Sequence, residues 1–170
     1  MARWQFRAGV VLAALLLAGC NYRIASQETV DVCALALDAV TAALKQTPIA
    51  EPRPNVCVFH TTENSPVRGS IQINLLTDAS QGYSGGVEDT LRILLTEAEQ
   101  AYGPRVNDFA GLPKVAMAFG GNPPSSVVAT ERGVLLEMSI NGELRLGEDE
   151  VAALTRELWT RVTTYKPPSA

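Results

Sequence analysis

Two stretches of this 170-residue chain alternate apolar and polar side chains residue by residue. In Gly69–Leu76, Ile71, Ile73 and Leu75 interleave with Ser70, Gln72 and Asn74. In Val134–Ile140, Val134, Leu136, Met138 and Ile140 interleave with Leu135, Glu137 and Ser139, and Asn141 continues the pattern. A strand sends successive side chains to opposite faces, so each stretch reads as a strand with one buried face. That is the mark of an antiparallel sheet rather than a parallel sheet covered on both sides. The rest of the chain then has to cover one apolar face.

Three segments have the spacing to do so. Glu28–Gln46 carries Val30, Cys33, Leu37, Val40 and Leu44 at three- and four-residue steps, and Pro48 ends it. Val87, Leu91, Leu94, Ala98 and Tyr102 mark a second helix, stopped by Gly103-Pro104. Glu148, Asp149 and Glu150 load the first turn of a third, where acids suit the positive end of the helix dipole, and Val151, Leu154, Leu158 and Val162 form its seam. Further strands are expected at Asn55–His60, with Cys57 and Phe59 on one face, and at Lys114–Phe119, with Val115, Met117 and Phe119 on one face. Ser126–Thr130 and Val134–Ile140 form a hairpin around Glu131-Arg132-Gly133. Asn141-Gly142 signals another hairpin, with Glu143–Leu146 as a short edge strand. Thr47–Pro54, with three prolines, and the Gly/Ser-rich Thr77–Gly86 read as loops. The expected order is α-β-β-α-β-β-β-(β)-α, an α+β domain with about five to six antiparallel strands and three amphipathic helices.

The first residues carry a different signal. Arg3 and Arg7 precede a mostly apolar run from Ala8 to Gly19, too short to cross a bilayer core of roughly 30 Å, so it reads as a signal peptide. Leu17-Ala18-Gly19-Cys20 resembles the lipobox of bacterial lipoproteins. The resemblance implies that Cys20 receives a thioether-linked diacylglycerol and, after cleavage, an amide-linked acyl chain such as palmitate. Each buried methylene contributes about 0.8 kcal/mol, and two or three chains together give a stable anchor. Asn21 in place of an aspartate leans towards the outer membrane. The expected division is a signal peptide at 1–19, a lipidated tether at 20–27, one domain at 28–165 and a tail at 166–170.

Removing residues 1–19 takes two of the 14 basic side chains and no acid, leaving 12 against 18 acidic ones in 151 residues. No Lys/Arg run remains to track phosphates, so nucleic acid is not an expected partner. With Cys20 taken by lipid, Cys33 and Cys57 remain as a pair in an oxidising compartment. The alternatives are two free buried thiols or a redox pair. No Cys-x-x-Cys spacing and no basic neighbour mark an activated thiolate, which favours a structural bridge. The element order, with an early helix cysteine and an early strand cysteine, is similar to small bacterial lipoproteins with a PsbP-like α/β sandwich. That similarity implies a sandwich fold and no catalytic residues, and members of the fold mostly bind or chaperone other proteins.

Candidate chemistry is sparse. Gly82-Tyr83-Ser84-Gly85-Gly86 matches the G-x-S-x-G pattern, but a nucleophile elbow needs a sharp strand-to-helix turn and a later histidine. The sole histidine, His60, precedes it, at a strand end and without ligand-spaced partners. The acidic groups Glu88-Asp89, Glu97 with Glu99, and Glu148-Asp149-Glu150 lie on predicted helices, where solvated faces explain them better than a glycosidase pair. Gly120-Gly121 lacks the spacing and lysine of a phosphate loop. Tyr83, Phe109 and Trp159 are either anchor residues for a partner or plugs at the ends of the core. No metal and no cofactor is expected. The sequence therefore points to a lipid-anchored, non-catalytic adaptor or accessory subunit of an envelope assembly, binding an envelope protein through its polar sheet face or Gly/Pro-rich loops. The alternatives are an envelope hydrolase using Ser84 or paired carboxylates, and a small-ligand binder.

Overall fold

The computed structural model describes residues 30–77 and 86–164. Cys20, the signal peptide, the tether, the loop with Tyr83 and Ser84, and the tail from 166 lie outside them.

The elements run α1 (Val32–Leu44), β1 (Ile49–Arg53), β2 (Val56–His60), β3 (Gly69–Thr77), α2 (Gly86–Tyr102), β4 (Arg105–Asn107), a 3-10 turn (Phe109–Gly111), β5 (Ala116–Phe119), β6 (Ser126–Glu131), β7 (Val134–Gly142) and α3 (Glu148–Thr164). This is an α+β fold around one seven-stranded sheet in the order β1-β2-β3-β7-β6-β5-β4. Every neighbouring pair is antiparallel. The two alternating strands sit at the centre: Ile71 pairs with Ile140, Ile73 with Met138 and Leu75 with Leu136.

Those apolar pairs face α1 and α3. Phe59, Ile71, Ile73, Met138, Val40 and Leu158 are among the side chains fully buried in the resulting core. Asp31 caps α1 by accepting the Ala34 N–H at 2.9 Å, so the helix starts at Val32. Side chains also tie the two helices together. Arg161 donates to the Leu35 carbonyl at 3.0 Å, and Lys45 pairs with Glu150 at 2.7 Å.

The other face is not wholly polar, as the alternation implied. Phe119, Val128 and Leu135 form a second buried cluster with Val87 and Ala98 of α2, joined by Leu76, Leu91, Leu94 and Met117. The three helices are therefore divided, two on one face and α2 on the other. Leu76 and Leu135, which break the polar half of the pattern, are the residues that called for this second cover.

Four expectations need correction. Thr47–Pro54 contains β1, because an edge strand pairs on one side only and there tolerates Pro52; all five of its residues are exposed, so no alternation marks it. The three-residue β4 is equally exposed and carried no pattern. The strand expected at Lys114–Phe119 starts at Ala116 and is buried on both faces, Ala116 and Ala118 towards α1 and α3, and Met117 and Phe119 towards α2. Glu143–Leu146 forms no strand and Asn141-Gly142 no hairpin. Instead Gly142, at φ 80°, pairs with Gly69 so closely that a Cβ on it would lie 2.9 Å from the Gly69 Cα. The chain then leaves the sheet and tucks Leu144 and Leu146 into the core.

Candidate functional site

On the face that carries α2, the helix packs against β5, β6 and β7. Among the described residues no helix covers the half made by β1, β2 and β3 and the far end of β7. Its β3–β7 part is built from opposed polar pairs, Ser70 with Asn141, Gln72 with Ser139, and Asn74 with Glu137, while β1 and β2 add Ile49, Val56 and Val58 to the same face. Asn74 donates to the Glu137 carboxylate at 2.6 Å, and Gln72 donates to the Asn74 carbonyl oxygen at 3.3 Å. Glu137 thereby orients two amides in series. Next to them, on β1 and β2, Arg53 donates to Glu51 at 2.6 Å and His60 Nε2 lies 3.3 Å from the same carboxylate. Arg53 first, and His60 second, hold the Glu51 carboxyl below its ordinary pKa. Ser126, opposite Ser139, is 1% exposed and its hydroxyl has no hydrogen-bond partner. It marks the seam between the covered and bare halves.

At one end this face dips into a cleft of about 310 Å³. Gly69, Ser70, Asn141 and Gly142 form its floor, and Thr61, Thr62 and Glu63 rise as a wall between His60 and Arg68. The wall is held from behind. The Thr61 hydroxyl accepts the Gly69 N–H at 3.1 Å, Thr62 donates to Gln46 at 3.3 Å, and Gln46 in turn donates to Ser65 at 3.2 Å. Among the described residues, no hydrogen bond or ion pair engages the side chains of Glu63, Arg68 or Ser70. A larger groove of about 490 Å³ runs between α1 and α3. Its floor is mainly alanine, and the Lys45–Glu150 and Arg161–Glu157 ion pairs at its rim are already made.

The sequence candidates fall as follows. Cys33 and Cys57 are joined in a disulfide with Cα atoms 5.1 Å apart, tying α1 to β2. Phe109 and Trp159 are each 7% exposed and belong to the main core. Cys20, Tyr83 and Ser84 lie outside the described residues. His60 sits at its strand end, side chain 44% exposed. Glu148, Asp149 and Glu150 start α3, and Glu150 is engaged by the Gly147 N–H at 2.9 Å and by Lys45. These contacts, Lys45 first, hold its carboxyl below the usual range and raise Lys45. No group of three or more potential metal ligands occurs among the described residues. The cleft residues Glu63, Arg68 and Asn141 carry no sequence motif; the available signal is the pair Gly69 and Gly142, which open β3 and close β7 at the same end of the paired strands.

Comparison of the chain with family models, curated proteins and solved structures finds no match.

Proposed function

We propose that the protein is a lipoprotein anchored through Cys20 on the periplasmic side of the outer membrane, acting as a non-catalytic adaptor or accessory subunit of an envelope assembly. The observation that carries this reading is the half of the sheet face that no helix covers among the described residues. Val30, the first described residue, donates its N–H to Asn55 Oδ1 at 2.9 Å, and the Asn55 backbone carbonyl accepts the Leu75 N–H at 2.8 Å. The cleft opens beside Gly69, at the other end of the same strand, about 20 Å away. Ten residues from Cys20 to Val30 span at most about 35 Å, which would keep the domain close to the membrane surface. The disulfide supports an oxidising compartment. The resemblance of residues 17–20 to a lipobox supplies the anchor.

Crosslinking in cells followed by purification of the full chain tests the adaptor role. A recurrent envelope protein in the crosslinked fraction is expected; its absence removes the proposal's main support. Fluorophosphonate labelling that disappears in Ser84→Ala would replace it with the hydrolase reading. A small-ligand role is favoured by one observation, the cleft itself, whose volume lies at the lower end of the range for ligand sites.

A further inference from the structure

Every residue lining the cleft is polar, charged or glycine, so it offers hydrogen-bonding groups beside the carbon surface of side-chain stems and glycine backbone, with no large apolar side chain. Sites for drug-sized ligands are mostly apolar with a few polar groups, and protein hot spots are built around large buried anchors. Neither description fits. Nor does a polyanion, since Arg68 and Glu63 contribute one charge of each sign. The groups present do match a surface of vicinal hydroxyls, each of which both donates and accepts. Ser70 can do both, Asn141 keeps its carbonyl oxygen as an acceptor, Glu63 accepts and Arg68 donates. Thr61 and Thr62 hold the wall itself, while the unengaged Glu63, Arg68 and Ser70 side chains are left for a ligand to order. The floor continues along β3 and β7 through Gln72 and Ser139 to Asn74, whose amide Glu137 orients. A chain, and not only a single ring, thus has polar groups to follow over about 13 Å.

We propose that this cleft binds a neutral saccharide chain, one unit seated between His60, Glu63, Arg68 and Asn141 and the next lying over Gln72 and Ser139. The inference deepens the small-ligand reading and rests on it, while the adaptor reading stands apart on its crosslinked protein.

The test is saturation-transfer NMR of the full chain, purified in a detergent without a sugar headgroup and titrated with a β-1,4-linked tetramer of N-acetylglucosamine. Saturable transfer is expected, with affinity lowered at least about fivefold by Asn141→Ala and by Arg68→Ala, the effect of one lost hydrogen bond. Both side chains are exposed, and circular dichroism checks that each variant is folded. Arg92→Ala, on the outer face of α2, is expected to bind like the parent chain. No saturable transfer, unchanged affinity in both cleft variants, or loss of the tetramer's signal on adding inorganic phosphate overturns the proposal. Each of those results leaves a crosslinked protein partner untouched.

Discussion

Asn55 stands at a left-handed backbone angle, φ 57°, and is only 9% exposed. Asparagine tolerates that conformation better than other residues with a Cβ, and here its side chain also accepts the Val30 N–H. Asn55→Ala leaves a buried donor without a partner and adds backbone strain, so it is expected to cost about 2–3 kcal/mol in urea unfolding. Asn55→Gly keeps only the first penalty and should cost less. Nothing in the sequence announced this role, because the two partners are separated by a helix and fixed only by the fold. The Lys45–Glu150 pair gives a pH signature. Glu150 has its carboxyl lowered from 4.5, so its contribution is present above that value and fades as pH falls through the folded-state pKa. The small loss of thermal stability expected in Glu150→Gln at neutral pH should therefore vanish in acid. Both partners are exposed, and the effect should weaken with salt.

At the level of elements, the pieces with a buried face were legible. β3, β7 and the three helices announced themselves because burial imposes a period of two or of three to four on their apolar residues. β1 and β4 bury no side chain, so no period reached the sequence, and their pairing is written only in the backbone. β5 was half legible because its alanines, fully packed against α1 and α3, do not look apolar enough to count. The same logic hid the second cluster under α2, which rests on a few residues. Phe119→Ala, at a fully buried position in that cluster, is expected to cost about 3–5 kcal/mol. Increased amide exchange concentrated in α2 would identify the layer it loosens. The disulfide closes a loop between residues 24 apart, and its removal in the Cys33→Ser, Cys57→Ser double variant should lower unfolding free energy by about 3 kcal/mol. A loss near zero would mean that the packing of α1 against β2 holds without it.

At the scale of the molecule, the candidate site was legible only in outline. The polar half of the alternation foretold a polar sheet face. It could not foretell that α2 would cover part of it, nor that Gly69 and Gly142 would close the floor of a cleft. The proposed membrane attachment runs through Cys20; no helix among the described residues is long and apolar enough to cross a membrane. Cys20→Ala is therefore expected to move the chain from the membrane fraction to the soluble fraction of bacterial cells. The proposed function requires that the bare half-face carries the partner. Arg53 is exposed on that half-face, and Arg92 is exposed on the outside of α2. A photocrosslinking residue placed in living cells at one position and then at the other compares the two surfaces directly. The account predicts a discrete envelope-protein adduct from position 53 and none from position 92; no adduct at 53, or the same adducts from both, would contradict it.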